Sequence, residues 1–333
     1  MPGRLVRIRV ISIRDIVSGL SVDVDRKGSI MRVFVLRLSR FAARVIVCGV
    51  FVAGGQTNGQ PRSYETTFYP SGKFKIEAYV YKPEGTGPFP VVIYNHGSRG
   101  GHEREERPFV YVGEMLTHRG YVVIVPERRG YGKADGPTFG EAIGEDRGPR
   151  FVARVQEETD DVLAVVEFLK ALPYADTKRV AVMGWSIGGI VSVLAASRSS
   201  AFRVVVDQAG GALTWDQSHA MQQALKEAAA KIRIPLQGMV AKKDRTTESV
   251  KTVVHEAEEH GATAKLIVYP AFAPRDAGGV PPGHMIFGKE GWSLGRGPAG
   301  VLVEVSQIAL TCKRREEKSQ SVGPDLTVSQ RPD

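Results

Sequence analysis

Residues 179–197 read RVAVMGWSIGGIVSVLAAS. The first five are a short β-branched, apolar run of the kind that forms a buried strand. The stretch from Ile187 onward is small and apolar, and it reads as a buried helix. Between them stands Gly184-Trp185-Ser186-Ile187-Gly188, with no room for a loop. A turn this tight forces its central residue into a strained backbone, and the residues two before and two after it must lack side chains. The strain lifts the Ser186 hydroxyl above the sheet edge. It also sets the Ile187 N–H at a helix N-terminus, where a developing negative charge is stabilised.

Working outward, strands are expected at 91–94, 121–125, 203–206, 236–240 and 265–269, besides the one at 179–183. Helices are expected near 103–118, 151–171, 187–198, 246–260 and 299–310. Near-continuous apolar strands alternating with helices predict an α/β protein with a mostly parallel, doubly wound sheet covered on both faces. An extended pair at 64–69 and 74–82, turning through Pro70-Ser71-Gly72, precedes it. In the 151–171 helix, Val152, Val155, Thr159, Val162, Val166 and Leu169 recur at threes and fours, with Glu157, Glu158 and Lys170 assigned to the other face. The stretch 211–232 falls outside the alternation and reads as a helical insertion, whose Trp215, Met221 and Leu225 either pack as the apolar face of an ordinary amphipathic helix or cap a pocket.

The 333 residues are 42% hydrophobic and 24% charged, an ordinary globular composition. The net charge of +9 is unevenly placed: ten basic and three acidic residues lie within 1–55, so that segment carries +7 and the rest +2. The folded part is thus near neutral, which argues against a nucleic-acid groove. Arg32, Arg37, Arg40 and Arg44 precede the apolar run 45–53 and then Ala53-Gly54-Gly55. Basic head, short apolar core and small-residue exit predict a signal peptide at 31–55 and an exported protein, the alternative being a buried strand or disordered arm of a cytoplasmic one, and the run is too short for a stable membrane span. Residues 1–55 are therefore expected as a targeting segment, 56–312 as the folded domain and 313–333 as a flexible tail. Cys48 and Cys312 are the only cysteines. They make no metal-ligand spacing, and no cofactor is implied.

A serine hydroxyl needs a base, and the base an orienting acid. Of seven histidines, His284 lies in the loop after the last strand. On such a sheet, the loops that follow strand C-termini gather at one edge, beside Ser186. Asp244, at the end of LQGMV, is the expected acid, and Asp207, ending RVVV, is its rival. His255 and His260 are five apart and do not make a zinc pair. The loop Asn95-His96-Gly97-Ser98 is expected to supply a second N–H donor, from Ser98, with the Ser98 side chain and His96 structural. Arg128, Arg129 and Arg147 read as ion-pairing residues rather than substrate contacts.

YNHGS (94–98), PERRGYG (126–132), GWSIGG (184–189), QAGGALTW (208–215), the Asp244 segment and GHMIFG (283–288) together resemble the α/β-hydrolase superfamily, in its dienelactone hydrolase-like branch. The resemblance covers roughly 64–292. It implies an α/β-hydrolase fold with about eight strands and a small helical cap at 211–232. It also implies cleavage of a small-molecule ester or lactone without a cofactor. Residue by residue it implies Ser186 as nucleophile, Asp244 as acid, His284 as base, and Ile187 and Ser98 as oxyanion donors. Dienelactone hydrolases use cysteine where this chain has Ser186. Gly295-Arg296-Gly297-Pro298-Ala299-Gly300 spells a dinucleotide-binding string but follows no strand. Two other readings remain: a serine peptidase or other acyl hydrolase on the same fold, and a non-catalytic binding module on that scaffold. Oligomeric state has no signature in the chain.

Overall fold

A computed structural model describes residues 62–275 and 278–293, together with two strands of two residues each, at 23–24 and 30–31. The chain divides into two units, Met1–Pro61 and Arg62–Asp333. In the first, Asp23–Val24 and Ile30–Met31 pair antiparallel. Apart from Met31, the expected signal peptide lies outside the described residues, as do the 299–310 helix, the 295–300 string and the 313–333 tail.

The second unit is built on eight strands: β1 (Glu65–Ser71), β2 (Phe74–Tyr81), β3 (Phe89–Asn95), β4 (Val122–Pro126), β5 (Ala175–Trp185), β6 (Phe202–Gln208), β7 (Leu236–Ala241) and β8 (Ala264–Tyr269). Their order across the sheet is β1-β2-β4-β3-β5-β6-β7-β8. The β1–β2 and β2–β4 pairs are antiparallel and all others parallel. The β1–β2 turn is Gly72-Lys73, with Ser71 paired to Phe74, rather than Pro70-Ser71-Gly72. Gly72 has φ of 56°, a conformation a glycine adopts without steric cost.

Helices α1 (Val110–Thr117), α2 (Phe139–Ile143), α3 (Pro149–Leu169), α4 (Ile187–Arg198), α5 (His219–Ala229), α6 (Glu248–Glu259) and α7 (Lys289–Ser293) complete the unit. The strand period of two sends alternate side chains to opposite faces. Val91, Ile93, Val180 and Val182 pack with α3, α4, α5 and α6. Val92, Tyr94, Ala181 and Met183 pack with α1 and with Ile286, Phe287 and Trp292. Continuous apolar strands therefore bury both faces, as a parallel sheet requires. This is the expected α/β-hydrolase architecture. Helix α1 starts seven residues later than the sequence suggests, because Pro108 restricts the residue before it and the preceding charged run is drawn into a loop.

The segment at 211–232 enters the alternation as the crossover from β6 to β7. Met221, Leu225, Ala228 and Ala229 of α5 belong to the same buried core as α4 and α6. Met221 and Leu225 are thus core residues, and only the part before α5 reaches the cavity described below. The excursion between β4 and α3 carries the short helix α2. There the Thr138 hydroxyl accepts the Glu141 N–H while Glu141 accepts the Thr138 N–H, a reciprocal cap that closes this helix on itself.

Glu158, assigned by periodicity to the solvent face of α3, is fully buried. Its carboxylate receives Arg128 Nε at 2.7 Å and Arg154 Nε at 3.1 Å. Arg129 forms a two-pronged pair with Asp161, which also accepts the Ser71 hydroxyl at 2.7 Å. Buried charges of this kind persist only when paired and hydrogen-bonded. They tie the β4 loop to α3 and to β1, beneath the edge where the functional groups gather. Among the described residues no helix is long and apolar enough to cross a membrane.

Candidate active site

Ser186 stands between β5 and α4 with φ of 59° and ψ of −120°. A non-glycine residue held there is strained by about 1–3 kcal/mol, and the surrounding structure must over-determine it. Three contacts do so. The Ser186 N–H donates to the Gln208 carbonyl at 2.8 Å. The Ser186 carbonyl receives the N–H groups of Gly189 and Ile190 at 2.9 and 3.2 Å, starting α4. A side chain at Gly184 would strike the Gly188 carbonyl, and one at Gly188 would strike the Asn95 carbonyl. The two glycines of the motif are therefore needed for the helix to approach β5 and β3.

His284 lies in a 3-10 turn, Pro282–Phe287, beyond β8. Its Nδ1 is 2.9 Å from Asp244 Oδ2 and 3.1 Å from Oδ1. Both side chains are almost fully buried. Gly283 makes the pair possible: its N–H donates to the Lys243 carbonyl at 3.0 Å, and a side chain there would collide with Lys242 and Asp244 backbone. The loop after β7 and the turn after β8 are thus interlocked at main-chain level. Trp185, next to Ser186, donates its indole N–H to the His284 carbonyl at 3.1 Å. Among the described residues no hydrogen bond joins the Ser186 hydroxyl to His284; in such pairs this bond commonly tightens only around a reacting group.

Asp207 is placed elsewhere. It is fully buried beside Gly184 on the neighbouring strand, and its Oδ1 accepts the Gly210 N–H at 2.8 Å. Burial pushes its carboxyl up to about 7, against the opposing pull of the Gly210 N–H. The folded protein holds a proton here that the unfolded chain has already released above its ordinary value of 3.8. Stability contributed at this position therefore falls as pH rises from that value to about 7. Asp207→Asn is expected to remove that fall. Melting temperatures of variant and parent should coincide at acidic pH and diverge, with the variant higher, as pH approaches neutrality.

On the other side of Ser186, Gly97 packs so closely that a Cβ would lie 3.2 Å from Ser186 Cβ. Its neighbour Ser98 is exposed, and it shares a cavity wall with Ser186 and Ile187. His96 is fully buried, stacked on Phe109, with Nδ1 2.7 Å from the Gly97 carbonyl. Since that carbonyl can only accept, the ring proton sits on Nδ1. Burial, reinforced by Arg128 and Arg99, holds the ring well below its usual range and neutral. Arg99 pairs with buried Glu127, whose carboxyl burial pushes up to about 7 although Arg99 pulls it down. His96, Arg99 and Glu127 fix the loop that carries Ser98.

The cavity has a volume of about 240 Å³. Phe139, Ile143 and Phe151 form one wall, Ile187 and Ile190 the floor, and Leu213 and Thr214 the far side. Its charged lining is Glu103 and Arg147. Arg128 and Arg129 are held in the ion pairs below and do not reach it. Among the described residues no group of three or more His, Cys, Asp or Glu side chains is placed to hold a metal ion.

Parts of the chain are similar to known proteins. The quorum-quenching protein AidA of Acinetobacter baumannii is 23% identical over 155 residues, which are 46% of each chain. The esterase EstD of Thermotoga maritima is 31% identical over 129 residues, 37% of this chain and 28% of EstD. The chain therefore spans less than half the length of either relative. Among solved structures, the acylaminoacyl peptidase of Pyrococcus horikoshii matches 73% of this chain and 41% of its own, with a TM-score of 0.53 at 19% identity, a likeness of fold. The model of the dienelactone hydrolase family matches residues 76–281, more than half of the chain and all of the strands from β3 to β8. With its sheet order, its serine elbow and the histidine–aspartate pair beside it, this chain belongs to the dienelactone hydrolase family.

Proposed function

We propose that this protein is a serine hydrolase that cleaves a small carboxylic ester or lactone through an acyl-enzyme. The observation that carries the reading is the His284–Asp244 pair, 2.9 Å apart, beside a serine held at φ of 59° and opening on a cavity. Asp244 engages Nδ1, which leaves Nε2 as the basic nitrogen. His284 Nε2 takes the proton of Ser186 as Oγ bonds to the carbonyl carbon. The carbonyl oxygen becomes an oxyanion, received by the Ile187 and Ser98 N–H groups. One such donor is typically worth about 100- to 1,000-fold in rate. Collapse breaks the bond to the alcohol, which leaves with the proton from His284. Water then attacks the acyl-enzyme, giving its proton to His284, and the acid departs as Oγ recovers it.

The cavity lies a little below the usual range for ligand pockets, which favours a short acyl group. The test is labelling by a fluorophosphonate probe together with a p-nitrophenyl ester panel from acetate to decanoate. Stoichiometric labelling of Ser186 and a maximum in kcat/KM at or below hexanoate are expected. An unlabelled Ser186 in folded protein sinks the reading and returns the non-catalytic scaffold.

A further inference from the structure

Among the described residues, Glu103 is the one buried acid near the cavity whose carboxylate has no partner. Glu127 is paired with Arg99, Glu158 with Arg128 and Arg154, and Asp161 with Arg129. Glu141 is engaged in its helix cap. Glu103 is only 9% exposed and lines the same cavity as Ser186. Among the described residues its carboxylate makes no hydrogen bond and no ion pair. Its backbone is pinned, since its carbonyl receives the Gly132 N–H at 2.8 Å. Its Oε1 stands 3.7 Å from where a Cβ on Gly140 would be, so the absence of a side chain at Gly140 keeps the space beside it open. Arg147, the cation of the cavity, is exposed and donates to the Gly144 and Asp146 carbonyls instead.

A carboxylate that faces a cavity with no partner in the fold is free to engage what enters that cavity, whereas the other buried acids nearby are already satisfied. It shares the cavity with the apolar side chains of Phe139, Ile143, Phe151, Ile190 and Leu213, and the polar residues there, Ser98, Ser186, Thr214 and Arg147, make no hydrogen bond or ion pair to it among the described residues. We propose that Glu103 is a specificity-determining residue: it accepts a hydrogen bond from a donor, ammonium or hydroxyl, carried on the acyl part of the substrate. The substrate class is then a short amino- or hydroxy-acyl ester, rather than a plain alkanoyl one. This rests on the acyl-enzyme reading and names the substrate of that site. The apolar walls strengthen the interaction by excluding water, and discrimination arises because a methyl group in the donor's place leaves the carboxylate unpaired.

Three isosteric p-nitrophenyl esters test it: 3-aminopropanoyl, 3-hydroxypropanoyl and butanoyl, with rates corrected for spontaneous hydrolysis. The parent protein should favour the better of the two donor esters over butanoyl by about 10- to 100-fold in kcat/KM. Glu103→Leu should bring that ratio to one or below. Glu103→Gln, which keeps an acceptor but no charge, should lose an ammonium preference and keep a hydroxyl one, so the pair of variants tells the two donors apart. Both variants should melt close to the parent, because among the described residues the Glu103 carboxylate makes no hydrogen bond or ion pair within the fold. A structural role for Glu103 predicts a marked fall in melting temperature. Butanoyl preferred by the parent, or a ratio that Glu103→Leu leaves unchanged, overturns the proposal while leaving the esterase reading intact. No hydrolysis of any of the three with Ser186 unlabelled by fluorophosphonate overturns both.

Discussion

Ser186→Ala is expected to lower kcat for ester hydrolysis by about 10⁵- to 10⁶-fold and to abolish fluorophosphonate labelling. The substitution removes one oxygen and nothing else. The main-chain contacts that hold position 186, to Gln208 on one side and from Gly189 and Ile190 on the other, use backbone atoms that alanine retains. The backbone strain is also retained, since alanine at φ of 59° is no more at ease than serine. Melting temperature should therefore stay close to that of the parent. Ser186→Gly separates the two roles of the position: it should be equally inactive, yet more stable by about 1 kcal/mol, because glycine enters this region of backbone space without penalty. Residual turnover above a few per cent in the alanine variant would show that some other group attacks the ester.

Asp244→Asn is expected to lower kcat by about 10⁴-fold with the fold intact. The carboxylate lies 2.9 and 3.1 Å from His284 Nδ1 through its two oxygens, and Oδ1 also accepts the Arg245 N–H at 2.7 Å. An asparagine keeps one oxygen for Arg245 but turns its amide N–H toward Nδ1. The imidazole then carries its proton on Nε2, where it can no longer accept one from Ser186. The charge that would stabilise an imidazolium is lost as well. KM should change little, because Asp244 does not line the cavity. Asp207→Asn, whose carboxyl contacts only the Gly210 N–H, should leave turnover within a few-fold. Equal losses in the two variants would mean that the effect is structural.

Much of this arrangement was legible in the chain because hard sterics leave few choices. Gly184 and Gly188 are required by carbonyls that a side chain would strike, and apolar runs of fixed length mark β3 to β7. The meeting of Asp244 and His284 follows from strand ends sharing one edge. Less visible were groups whose environment is set by distant parts of the chain. Glu158 reads as the wet face of α3, and only the approach of Arg128 and Arg154 makes its burial tolerable. Glu103 sits within His102-Glu103-Arg104-Glu105-Glu106-Arg107, a run that by composition belongs in solvent. The loop after Gly97 folds it inward while Arg104 and Arg107 remain partnered at the surface. The segment 211–232 looked foreign to the alternation although Met221, Leu225, Ala228 and Ala229 give α5 an apolar face, because only the tertiary fold shows that this face packs against α4 and α6.

The little helix α2 supplies Phe139 and Ile143 to the cavity, yet it is closed at one end by Thr138 and Glu141 and ends at Gly144 with φ of 54°. Its ends are capped locally, and its apolar side chains pack on Phe151 of α3 rather than being tied into a strand ladder. Residues 138–147 thus behave as an exchangeable cassette, and a lineage could trade one diet for another by rewriting ten codons while inheriting the engine unaltered.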